Sequence, residues 1–169
     1  METHAKPRSE WLTWRRVQML WAILLMVIAF SALNYTRERW GFGLNMTESL
    51  PNWAFIVDSE AIPSRGNRAM FQAPDNPYYD GQPFVKIVAG MPGDLVENRD
   101  GEIFVAGHYV GRAKSHSRDG RPLEAIETQN IPDGFVFMMG THVDSYDSRY
   151  AEIGLIPVER IIGRAYPVL

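Results

Sequence analysis

Hydrophobic and polar positions follow two regimes along this chain. From Val17 to Thr36, VQMLWAILLMVIAFSALNYT, twenty residues pass without a charge. As a helix this stretch reaches about 30 Å, the thickness of a bilayer's hydrocarbon core. After about residue 40 the apolar positions come in short runs punctuated by Gly, Pro, Asn and Asp, which predicts strands and turns. Candidate strands are Trp53–Val57, Phe84–Ala89, FVFMMG at 135–140 and RIIGRAYPVL at 160–169. DLVENRDGEIFVAGHYVG carries the clearest hairpin signal, with two β-prone runs around Asp100-Gly101, a pair suited to a type I′ turn. Residues 37–52 and 61–83 read as irregular chain, and Lys114–Gly134 as a polar stretch. No amphipathic helical repeat follows residue 40. About six short strands imply a mostly β domain, an irregular β-sandwich or partly open barrel, behind one N-terminal transmembrane helix.

Charge orients that helix. Residues 1–16 hold Lys6, Arg8, Arg15 and Arg16 against Glu2 and Glu10, whereas the chain after Thr36 is net acidic. The basic flank belongs on the cytoplasmic side. The expected organisation is a cytoplasmic N-terminus over 1–16, a transmembrane anchor over 17–36 and a periplasmic domain over 37–169, in a bacterial inner membrane. All five tryptophans lie within the first 53 residues, and Trp11, Trp14 and Trp40 flank the apolar stretch as an interfacial belt would. A cleaved signal peptide is the competing reading, with AFSALN supplying small residues, but the apolar stretch is longer than a typical signal-peptide core.

Composition narrows the chemistry. A net charge of −3 and the lack of a long basic run argue against nucleic-acid binding. There is no cysteine, which removes disulfides, thiolate metal sites and cysteine nucleophiles. No histidine or carboxylate cluster has metal-ligand spacing, and no cofactor is implied. Lysine is scarce: Lys6, Lys86 and Lys114 stand against fourteen arginines. Lys86 sits in the middle of an apolar strand, and alternation puts it on one face with Phe84 and Val88. A buried lysine can lose its proton near neutral pH, which arginine cannot do.

Three stretches line up around that lysine: NMTESLP (45–51), VKIVAGMPGD (85–94) and GTHVDSYDSRYAEIG (140–154). Together they resemble the signal peptidase I superfamily of membrane-anchored serine peptidases. Within it they are most similar to the TraF-type branch of conjugative transfer systems. That branch is similar in a Thr-x-Ser-x-Pro box, a Lys-x-Val-x-Gly-x-Pro-Gly-Asp box and a Ser-x-Asp-Ser-Arg-Tyr box, in the same order. The resemblance implies Ser49 as nucleophile and Lys86 as general base. It implies Ser145 as the hydroxyl that orients the lysine amine, and the Thr47 hydroxyl with the Ser49 N–H as oxyanion donors. It leaves Asp147 and Arg149 as a supporting ion pair. A serine hydroxyl needs a base to attack, and lysine serves only when neutral, with a pKa lowered toward about 7 or 8 by burial. Gly90–Asp94 reads as the turn after the lysine strand.

The chain departs from the pattern in two places. Pro51-Asn52-Trp53 stands where the branch often has glycine two residues after the proline. Gly140-Thr141-His142-Val143 stands where bacterial signal peptidases typically have Gly-Asp-Asn-Arg, and His142 has no role in the resemblance. His142 and Asp144 raise a rival, a Ser-His-Asp triad. The implied partners are a precursor protein, either a pilin or a signal-peptide-bearing chain, the lipid bilayer, and other conjugative transfer proteins. Hydrolysis and cyclisation of the precursor both remain open, as do a housekeeping signal peptidase and a non-catalytic scaffold of a secretion apparatus.

Overall fold

In the computed structural model, which describes residues 8–44, 49–76 and 82–168, the uncharged stretch lies inside one helix, α1 (Arg8–Arg39). The helix is longer at both ends than the apolar segment, because the flanking Arg, Glu and Ser positions form helix readily and leave its register intact. Within it, Thr13–Arg39 is long and apolar enough to cross a membrane, and none of its most apolar window is buried by protein. The chain divides after Arg39 into this helix and a β-rich unit.

The β-rich unit holds eleven strands among the described residues, in two antiparallel sheets. The larger comprises β1 (Trp40–Leu44), β2 (Ala54–Asp58), β3 (Arg68–Gln72), β4 (Pro83–Gly90), β9 (Phe135–Met139), β10 (Ile156–Pro157) and β11 (Ile161–Pro167). Its spatial order is β1-β2-β11-β3-β4-β9-β10. The smaller comprises β5 (Leu95–Arg99), β6 (Glu102–Val105), β7 (His108–Arg112) and β8 (Gln129–Asn130), in the order β7-β6-β5-β8. Neither sheet closes into a barrel.

Four strands arise where the sequence pattern predicts irregular chain or a single hairpin. β1 forms despite its Gly-x-Gly because it pairs along its whole length with β2, from Trp40 opposite Asp58 to Leu44 opposite Ala54. A Cβ at Gly43 would meet the Met70 methyl, the movable end of a flexible side chain. β3 lies inside the stretch read as a long loop. Ala69, Met70 and Phe71 are all buried because both faces of the sheet are covered, so no alternation marks it. β8 is a two-residue pairing with β5, below what periodicity can show. β7 follows a second two-residue turn, Ala106-Gly107 (φ 50° and 78°), which repeats the left-handed pair at Asp100-Gly101 (φ 53° and 85°).

β4 carries Lys86. Its Phe84 and Val88 enter a core with Phe71, Val136, Met138 and Ile156. Its Val85 packs on the other side with Leu50, Phe55, Val57, Met70 and Ala165. Leu50 anchors the chain beside Ser49 by burying a side chain worth about 2 kcal/mol. A bulge between Val88 and Gly90 interrupts the pairing of β4 with β9 and brings Gly90 against the second core. A Cβ at Gly90 would lie 2.8 Å from Val105 and 2.9 Å from Phe137.

Candidate active site

Lys86 projects from the middle of β4 and is 4% exposed. It shares its face with Phe84, whose ring lies 5.4 Å from Nζ, and Ala69 is directly opposite on β3. Burial draws the ammonium down from 10.5 to about 8. The Asp147 carboxylate opposes that shift and the Arg149 guanidinium assists it. A position that looks like a strand cation therefore titrates near physiological pH, with a minor but substantial neutral fraction there. Lys86 Nζ donates a hydrogen bond to Ser145 Oγ at 3.0 Å, and Ser145 is 2% exposed.

Ser145 is held by a loop wound around a buried ion pair. Arg149 Nε donates to Asp147 Oδ1 at 2.8 Å and Nη2 to Asp147 Oδ2 at 2.9 Å, with both residues almost wholly out of water. Arg149 Nη2 also donates to the carbonyls of Ser145 (3.0 Å) and His142 (3.2 Å). Asp147 Oδ2 accepts the Gly140 N–H at 2.7 Å, and Oδ1 accepts the Arg149 N–H. Removing either charge would strand the other in the interior, so this pair fixes the loop. Its charge balance also leaves less of the Asp147 field to hold Lys86 protonated.

Ser49 joins the same place through its backbone. Its carbonyl accepts the N–H of Thr141 at 2.9 Å and that of His142 at 3.4 Å. A Cβ on Gly140 would meet the Ser145 hydroxyl, the Ser145 Cβ at 2.7 Å and the Ser49 carbonyl oxygen at 2.7 Å. Gly140 is thus the point where the Ser49 segment and the Ser145 loop touch. Ser49 itself is 6% exposed. The structure therefore gathers Ser49, Lys86, Ser145, Asp147 and Arg149 into one buried cluster. Thr47 lies outside the described residues.

Three supporting residues went unread in the sequence. Ser148 pins the loop to β9, accepting the Met138 N–H and donating its own N–H to the Met138 carbonyl, both at 3.0 Å. Gly140 was visible only as part of a departing motif. Gly111 (φ 133°) leaves room for Arg149, whose Nη1 lies 2.6 Å from where a Cβ would stand. The signal for Ser148 was its place between Asp147 and Arg149; nothing marked Gly111. The tail of the lysine box proves to be a lock: Asp94 Oδ2 accepts the Met91 N–H at 2.7 Å and pairs with Arg65 at 2.6 Å.

The triad arrangement is not present. His142 Nδ1 accepts the Asp144 backbone N–H at 3.1 Å, and so is not the donor to Asp144 that a triad requires. The Asp144 carboxylate turns instead to Lys114 and Arg118, whose hydrogen bonds bring its pKa down to about 2. Among the described residues no group of three or more His, Asp or Glu is placed to hold a metal ion.

Comparison with known proteins gives a consistent set of relatives. The profile of the family described as signal peptidase, peptidase S26, matches residues 10–169. The chain is 29% identical over 147 residues to the conjugal transfer protein TraF of Agrobacterium fabrum, covering 76% of this chain and 82% of that protein. It is 28% identical over 155 residues to signal peptidase I of Pseudomonas fluorescens, covering 67% of this chain and 52% of that enzyme. Among solved structures, a signal peptidase I from Enterococcus faecalis superposes with a TM-score of 0.42 at 25% identity, over 61% of this chain and 96% of that one. The chain spans about half the length of the Pseudomonas enzyme.

Proposed function

Because the chain belongs to the signal peptidase family, peptidase S26, we propose that it is a membrane-anchored serine endopeptidase working through a Ser49–Lys86 dyad. The observation that carries this reading is the buried Lys86 amine, brought down to about 8 and held by Ser145, beside the segment that bears Ser49. In this mechanism neutral Lys86 takes the Ser49 proton as Oγ attacks the scissile carbonyl. The Ser49 N–H and the Thr47 hydroxyl hold the oxyanion. The lysine then passes its proton to the departing amine, leaving an acyl-enzyme. Water, or an amine of the substrate itself, resolves that ester and regenerates Ser49.

The TraF relatives favour a precursor from a conjugative transfer apparatus as substrate, either a pilin or another exported chain. An apolar helix just ahead of the β-rich unit suits cleavage near a membrane surface. The positive flank of residues 1–16 favours a cytoplasmic N-terminus, with the β-rich unit in the periplasm of an inner membrane.

The test is co-expression of the chain, or its Ser49→Ala variant, with a candidate pilin precursor, read out by intact mass. Processing that disappears in the variant supports the dyad. A product lighter than the linear peptide by about 18 Da, one water, identifies cyclisation. Equal processing in both overturns the dyad and favours a scaffold.

A further inference from the structure

His142 has no part in the dyad mechanism, yet its polar groups meet the site on three sides. Its N–H points to the Ser49 carbonyl at 3.4 Å. Its carbonyl accepts the Ser145 N–H at 3.0 Å and Arg149 Nη2 at 3.2 Å. Its ring Nδ1 accepts the Asp144 N–H at 3.1 Å. The bond from Ser145 N–H back to His142 carbonyl defines a turn over residues 142–145, and the ring supplies an acceptor for an N–H within that turn.

We propose that His142 is a positioning residue: its Nδ1 closes the 142–145 turn and so fixes the Ser145 hydroxyl against the Lys86 amine. The geometry stands by itself, while the catalytic consequence rests on the Ser49–Lys86 reading. A side-chain acceptor bonded to the N–H two residues ahead is the arrangement that Asn, Asp and Ser usually supply in turns. Asn Oδ1 and His Nδ1 both hang from Cγ and reach nearly the same point. The signal peptidase pattern has Asn where this chain has His142, so the substitution keeps the acceptor while changing the residue.

The charged neighbours fit this role. The Asp144 carboxylate pairs with Lys114 and Arg118. On the inner side, Arg149 is bound to Asp147 and to the carbonyls of the turn, and Lys86 lies beyond Ser145. An acceptor at Nδ1 requires a neutral ring with its proton on Nε2, because imidazolium has two donors and no acceptor.

Ring-nitrogen NMR on the full chain in detergent micelles at pH 8 is the direct test. Nδ1 is expected without a proton; a proton on Nδ1 would overturn the proposal whatever any assay shows. The second arm compares His142→Asn with His142→Ala. The Lys86 amine is expected to titrate at the same midpoint in wild type and His142→Asn, and at a displaced midpoint in His142→Ala. With the precursor as substrate, kcat/KM is expected to fall about tenfold in His142→Ala, the scale of one neutral hydrogen bond, and to stay within about twofold in His142→Asn. Equal loss in both variants, or no loss in His142→Ala, sinks the idea. Should Ser49→Ala still process precursor, the dyad fails, while the tautomer and the Lys86 titration still decide the role of His142.

Discussion

Lys86 Nζ and Ser145 Oγ stand 3.0 Å apart, both buried, across 59 residues of sequence. Burial disfavours the charged amine, the Asp147 carboxylate opposes that in part, and the Arg149 guanidinium adds to it.

Activity should therefore follow the neutral form of that amine. On the dyad reading, kcat/KM against a peptide substrate is expected to rise with pH through an inflection near 8 and to drop tenfold per unit on the acid side. Lys86→Arg, which cannot deprotonate, is expected to lose at least about a hundredfold. A flat profile between pH 6 and 9, or an active arginine variant, would contradict the mechanism.

The same burial weakens the fold at neutral pH. The folded value, about 8, lies below the 10.5 of an unperturbed lysine, so between those values the unfolded chain binds more protons and stability climbs as pH rises. Below pH 8 the cost is complete, about 3 kcal/mol. Lys86→Met removes it along with a hydrogen bond worth about 1 kcal/mol, for an expected net gain of about 2 kcal/mol at pH 7. The gain should vanish by pH 10.5. Urea unfolding at the two pH values checks this, and an equal gain at both would show that desolvation is not its source.

Gly140 separates the Ser49 backbone from Ser145 by less than a methyl group. Gly140→Ala is expected to cost about 1–3 kcal/mol in overpacking and to reduce turnover far more than that loss of stability explains. Thermal unfolding measured beside kcat separates the two effects.

Ala106 occupies a left-handed position at φ 50° in the turn between β6 and β7. Ala106→Asn creates the Asn-Gly pair that a type I′ turn prefers and should stabilise the chain by about 1 kcal/mol with unchanged turnover. A lower unfolding midpoint would show that the turn tolerates alanine better than its dihedral suggests.

The candidate site was more legible in the sequence than the sheet. Ser49, Lys86, Ser145, Asp147 and Arg149 sit in short motifs, since each box is a local segment carrying its own turn. Lys86 stood out because a charge interrupts an apolar strand. The strands β1 and β3 were opaque for opposite reasons: one is glycine-rich and stabilised by its partner, the other is buried on both faces and shows no alternation. Gly111 could not be read at all, because its need arises from a guanidinium 38 positions downstream that only the folded chain brings near. His142, two residues from Asp144, raised a rival triad that the dyad reading did not adopt; its ring serves the Asp144 backbone.

The position of β11 has a kinetic meaning. This last strand lies between β2, just after Ser49, and β3, which pairs with the lysine strand. β5, β6 and β7 can assemble as neighbours joined by two-residue turns, but the large sheet cannot be joined across its middle until residues 161–167 have emerged and inserted. Such long-range closure is slow and comes late in folding. A chain still lacking those residues would have β1–β2 and β3–β4 without the strand that bridges them. The order of synthesis thus delays completion of the large sheet until its last strand is in place.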